Sequence, residues 1–96
     1  MIDLFIEAIT SRQMVRFEYK GFIRTVEPHA IGVTSKGNDV VRCFQVGGGH
    51  TTMGHDWELC SLAKIRSAAL TGQSFAGPRD GYKRNDSQMI TIYAQL

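Results

Sequence analysis

Residues 15–20 alternate without a break: Val15, Phe17 and Tyr19 are apolar, Arg16, Glu18 and Lys20 are charged, and Gly21 follows. A side-chain period of two belongs to a strand with one buried face, and a glycine after it marks the turn. Phe22 to Glu27 then runs back as the partner strand, and Pro28, which has no N–H to give to a ladder, is expected to end or bend it. The buried face of this hairpin needs a cover. Ile2, Phe5, Ile6 and Ile9 recur at helical spacing, with Glu7 and Arg12 on the other side, so residues 3–12 are predicted to form one amphipathic helix lying on the sheet.

A third extended piece, residues 29–34, is closed by Ser35-Lys36-Gly37-Asn38, whose glycine and asparagine tolerate positive φ. In residues 39–46, Val40, Phe44 and Val46 share a face with Arg42, while Val41 and Cys43 share the other with Gln45. Both faces thus look covered, as in a central or barrel strand. Residues 47–54 are too glycine-rich for regular structure and predict a mobile loop before the strand Trp57-Glu58-Leu59-Cys60. Residues 62–65 fit one helical turn and 66–71 a short strand, although 61–70 also fits a helix ended by Gly72. Residues 72–86 predict a long polar loop, functional or disordered. Alternation resumes over 89–96, a terminal strand that returns to the sheet or to another subunit.

At 96 residues the chain has room for one core, and 43% hydrophobic with 21% charged residues is the balance of a globular domain. The expectation is one domain over residues 1–96, mainly β (α+β), a small partly open antiparallel barrel with an N-terminal helix. No run approaches the ~20 apolar residues of a membrane span, and Asp3 stands where a signal peptide is basic. Cys43 and Cys60 are too few for a disulfide framework, so thiols in a reducing cytoplasm are expected. A net charge of +2 means that any anion-binding role rests on a local patch.

Ala8-Ile9, Val15-Arg16-Phe17-Glu18-Tyr19-Lys20-Gly21, Arg24-Thr25-Val26-Glu27-Pro28-His29 and Gly32 together resemble the WYL-domain family of bacteria and their phages, over residues 5–70. The resemblance implies an Sm-like barrel that serves regulators as a ligand-sensing module, binds anions including nucleic acid, and keeps an arginine at the position of Arg24. Asp39-Val40-Val41 stands where the family's naming tripeptide falls. Glu58 and Cys60 stand where the family shows an arginine and an aromatic, and Leu62-Ala63-Lys64-Ile65 follows where the family has an LxRI run. The barrel pattern begins at the chain start, so a stand-alone module is expected.

A turn of two or four residues after Tyr19 puts Arg24 on the face of Phe17, Tyr19 and Val26, and a turn of three puts it on the other. An arginine among aromatic rings meets a phosphate or carboxylate with two parallel hydrogen bonds. The rival reading is an ion pair with Glu27 or Glu58, or a solvent-exposed head. Arg24, Tyr19 and Phe17 are therefore the candidate ligand-binding set, with Arg42, Lys64 and Arg66 as further members of that face. Arg79, Tyr82, Lys83 and Arg84 suggest a single-strand nucleic-acid contact, in which cations hold the backbone and a ring stacks on a base. The same composition, diluted by Asp80 and Asp86, also fits a solvated tail.

His29, His50, His55, Cys43 and Cys60 lack paired metal-ligand spacing, and no lysine follows the glycine run as a P-loop requires. No catalytic residue, metal or cofactor is assigned. The expected function is recognition of an anionic ligand, with single-stranded nucleic acid or a nucleotide among the candidates, by a homodimer paired through residues 89–96. An assembly protein built on that terminal strand and a small metal-dependent enzyme using the histidines are the alternatives.

Overall fold

The computed structural model describes residues 1–48 and 56–96. The elements are α1 (Ile2–Ser11), β1 (Gln13–Tyr19), β2 (Phe22–Val33), β3 (Asp39–Gly48), β4 (Trp57–Ser61), a 3-10 turn (Leu62–Lys64), β5 (Arg66–Ser74) and β6 (Thr91–Gln95). All the strands belong to one antiparallel sheet ordered β4-β3-β2-β1-β5, with β6 joined to β2. The sheet does not close, which makes it a partly open small barrel with an N-terminal helix. Among the described residues no helix is long and apolar enough to cross a membrane.

The β1–β2 hairpin turns through Lys20 and Gly21, both at positive φ (51° and 81°), the geometry that matches the strands' own twist. Tyr19 pairs with Phe22 and Phe17 with Arg24, so the two-residue turn is realised and Arg24 lies on the Phe17 face. Of the two outcomes expected at Pro28, the strand bends and does not end: β2 continues to Val33, and the ladder with β3 is irregular between Pro28 and Ala30. An extra residue there bends the strand. Below the bend β2 pairs with β1, and above it the vacated edge receives β6.

The bend also divides the sheet's two faces. Val26, Ile31, Val41, Cys43 and Cys60 join Val15, Phe17 and Tyr19 in a core closed by Phe5, Ala8 and Ile9 of α1. On the opposite face Ala30 and Val40 pack with Met89, Leu59 and Ile92. Both faces of β3 are thus covered. Arg12 ends α1 in the left-handed region (φ 55°), its carbonyl accepts from the Phe75 N–H at 2.9 Å, and its Nη1 donates to Ala76 O at 3.0 Å.

The helical turn and strand expected after Cys60 are present, and the alternative helix over 61–70 is not formed. The terminal strand returns to its own sheet, with Ile92 opposite Gly32 and Ala94 opposite Ile31. Gly32 is required there, because a Cβ would collide with the Thr91 carbonyl and with Met89 Sδ. Of the glycine-rich stretch, Gly47 and Gly48 finish β3, whereas the loop expected over the following residues, with His50 and His55, lies outside the described residues.

Candidate functional site

Arg24, Phe17 and Tyr19 come together inside the barrel. Arg24 is 2% exposed, its guanidinium lies 5.1 Å from the Tyr19 ring centre, and its Nη1 is 3.8 Å from Glu58 Oε1 and 3.5 Å from Gln45 Oε1. Its Nε and Nη2 have no hydrogen-bond partner among the described residues. Of the two acids weighed for it, Glu58 is the partner and Glu27 belongs elsewhere. Cys43 and Cys60 are free, buried thiols beside it. The hydrogen bond to Cys60, added to by burial, pushes the Cys43 thiol up, so it stays protonated.

The other named cations do not join Arg24. Arg42 points away from it because Cys43 and Gln45, its neighbours on β3, hold the inner face. Lys64 is exposed on the 3-10 turn, and Arg66 is exposed on β5 opposite Glu18. Alternation along β3 forces the first outcome: residues sharing a face differ by an even number.

The segment after β5 is a strap over the outer face rather than a free tail. The Arg79 backbone N–H donates to His29 Nε2 at 3.1 Å, which makes Nδ1 the protonated nitrogen, donating to Glu27 O at 2.8 Å. The Arg79 guanidinium donates to both oxygens of buried Glu27, at 2.8 and 3.0 Å, and lies 4.6 Å from the Phe44 ring centre. Trp57 Nε1 donates to Asp80 O at 3.3 Å, and the Tyr82 hydroxyl lies 3.3 Å from His29 O and 3.4 Å from Leu96 O. Arg84 Nε donates to Leu96 O at 2.9 Å, and Asn85 and Gln95 exchange hydrogen bonds of 2.9 and 3.2 Å. Arg42 closes on Asp86 with two bonds, 2.7 and 3.3 Å.

His29 is fully buried at the centre of this arrangement, edge-on to Trp57 (4.8 Å) and Tyr82 (5.0 Å) and stacked on Phe75 (5.9 Å). Burial, opposed in part by the carbonyl and charge of Glu27, holds its pKa below the ordinary value. Its two ring nitrogens are both engaged, and among the described residues no cluster of three metal-ligating side chains exists. Burial also raises the Tyr82 phenol, against the pull of Arg84. Asp86 is shifted down: burial alone would raise it, and the hydrogen bonds from Arg42 and the Gln88 N–H outweigh that.

Between the strap and β3–β4 lies a cleft of about 330 Å³ lined by Arg42, Trp57, Tyr82, Lys83, Arg84 and Asp86 with their loop neighbours. The Trp57 and Tyr82 rings are near-parallel, 21° apart with centres at 6.2 Å. Lys83 is exposed and makes no ion pair with the described residues. Four of the candidates named from sequence (Arg42, Tyr82, Lys83, Arg84) meet here, whereas Arg79 is spent on Glu27. Sequence reasoning missed Trp57 and His29 as the framework of the site. Trp57 is the chain's only tryptophan, which was a usable signal; His29 carried none beyond its buried neighbours. Comparisons of the chain with protein-family models, curated proteins and solved structures gave no match.

Proposed function

We propose that this chain is a binding module for an anionic ligand, working by recognition rather than catalysis, and that the ligand sits in the cleft under residues 81–87. One observation carries this reading: among the described residues, three cationic side chains and two aromatic rings line a single cavity in which Asp86 is the only acid. The Arg42–Asp86 fork fixes one wall, which lowers the ordering cost of binding. Lys83 supplies an unspent charge at the mouth. The resemblance to WYL domains, which are thought to bind anions, supports the same class of ligand, and nucleic acid or a nucleotide remains within it.

Trp57 lines the cleft and is the only tryptophan, so its fluorescence reports occupancy. Titration with inorganic phosphate, nucleotides and oligothymidylate is expected to give a saturable change with at least one of them. A double Lys83→Ala, Arg84→Ala variant should lose it while remaining folded, with only a small drop in melting temperature from the lost Arg84–Leu96 bond. No response to any anion, or an undiminished response in that folded variant, rejects the reading.

A second reading keeps Arg24 as the anion contact, favoured by its two nitrogens without hydrogen-bond partners among the described residues. It predicts that Arg24→Lys weakens binding at wild-type melting temperature while the Lys83 and Arg84 variants bind normally, because only the planar fork gives two parallel contacts.

A further inference from the structure

We infer that the cleft takes one planar heteroaromatic ring carrying one phosphate, a free nucleoside monophosphate, and not a run of nucleic acid. This rests on the anionic-ligand reading above and narrows it.

Size is the first ground. Small-molecule sites occupy roughly 300–1,000 Å³, and the cleft, at about 330 Å³, lies at the small end of that range. The number of usable ring faces is the second. Proteins that track single strands stack successive bases on successive aromatic side chains. Here the Phe44 face is taken by the Arg79 guanidinium at 4.6 Å, and the Phe75 ring is stacked on His29 at 5.9 Å. Among the described residues, Trp57 and Tyr82 are the rings that line the cleft; each also meets His29 edge-on, and Trp57 meets Phe44, so the pair has room for one further ring and not for a series of bases.

Charge is the third ground. Among the described lining residues Arg42, Lys83 and Arg84 outnumber the acid Asp86, a balance that favours an anionic group such as a phosphate. Arg42 is held by both oxygens of Asp86 and Arg84 Nε by Leu96 O, so their forks are fixed in place, and exposed Lys83 is the cation left to close on the phosphate. The strap itself is pinned on either side of the cleft, by Trp57 to Asp80 O and by Arg42 to Asp86.

The test is calorimetry of the full chain with four probes: adenosine 5′-monophosphate, adenosine, inorganic phosphate and oligothymidylate. The nucleotide is expected to bind one to one, with adenosine and phosphate each at least about tenfold weaker, since ring and charge are both needed. Lys83→Ala should weaken the nucleotide by about tenfold and leave adenosine unchanged. Trp57→Phe, which keeps a ring, should weaken nucleotide and adenosine alike. Phosphate binding as tightly as the nucleotide overturns the ring requirement, and oligothymidylate binding far more tightly, with a steep salt dependence, overturns the single-base limit. Both of those outcomes leave the anionic-ligand reading standing, whereas no binding of any charged probe removes it together with this inference.

Discussion

The two faces of the same sheet are held by different physics. On the α1 side, Phe5, Phe17, Val15, Val26, Ile31 and Val41 are buried to 1% exposure or less, and stability there comes from apolar area removed from water. On the strap side, cohesion comes from a few directional contacts: Arg79 on Glu27, Arg42 on Asp86, Tyr82 and the Arg79 N–H on His29. Non-directional burial makes the first face tolerant of exact geometry and costly to empty. Directional clasps make the second cheap to loosen and able to aim side chains at a cleft. Elements that open for ligands are drawn from such lower-stability regions.

The sharpest way to break the comparison is to empty the first face. Phe17→Ala removes a ring packed edge-on to Phe5 and Tyr19, and such truncations cost about 3–5 kcal/mol. Global denaturant unfolding should register it in full, with α1 and the strap lost together. A loss under about 1 kcal/mol would mean that this face is not the main store of stability.

Gly32→Ala comes next, because it strikes the seam where β6 meets β2. The new methyl group meets backbone, the Thr91 carbonyl, so the strand must move rather than a side chain. Overpacking of this kind costs about 1–3 kcal/mol. Hydrogen exchange should show β6 and the strap deprotected while β1 keeps its protection. Equal deprotection of both would show that the two faces unfold as one unit.

The first face was legible from the sequence because period and register need only the order of apolar residues. Val15-Phe17-Tyr19 placed the hairpin and Gly21 its turn, but the length of the turn stayed open in the sequence; the two-residue turn through Lys20 and Gly21 in the structure puts Arg24 on the inner side. The strap was not legible. Gly, Ser, Asn, Asp and Arg over residues 72–86 read as solvated chain, since no periodicity marks a segment held by side-chain clasps. Nor does spacing along the chain tell that Arg79 finds Glu27 from 52 residues away, or that Arg42 finds Asp86 from 44. Arg42 was grouped with Arg24 although alternation already placed it with Val40 and Phe44, whose face carries the cleft.

A change of pH should separate the faces without any substitution. His29 has a folded pKa below its ordinary value of 6.5, so the unfolded chain binds more protons as pH falls below that value. The stability it contributes is complete above 6.5 and is lost as pH falls toward the depressed folded value. Protonation removes the acceptor for the Arg79 N–H and adds a cation beside the Arg79 guanidinium, with Glu27 the only acid acting on it among the described residues. Strap protection is therefore expected to fall first on mild acidification, and His29→Gln should abolish that step whatever its effect on overall stability. Asp86, shifted down, is lost from its clasp only in more acid solution, below its ordinary 3.8, as a second step. A strap whose protection is flat between neutrality and that second step would show that His29 does not hold it.

The smallest effect expected sharpens the comparison most, because it asks which part of one residue serves the cleft. Tyr82 gives the strap a hydroxyl, at 3.3 Å from His29 O and 3.4 Å from Leu96 O, and gives the cleft a ring, 6.2 Å from Trp57. Hydrogen bonds that long are weak, and a net contribution of about 0.5–1.5 kcal/mol is an upper bound for a neutral pair. Tyr82→Phe should therefore lower the melting temperature slightly and leave ligand affinity within a factor of about two, because the stacking face is retained. Tyr82→Leu fills similar space without a π-face and should weaken a ring-bearing ligand while sparing inorganic phosphate. If Tyr82→Phe instead abolishes binding in a folded protein, the hydroxyl is a ligand contact and not a strap anchor. The division between holding and recognising then fails at this residue.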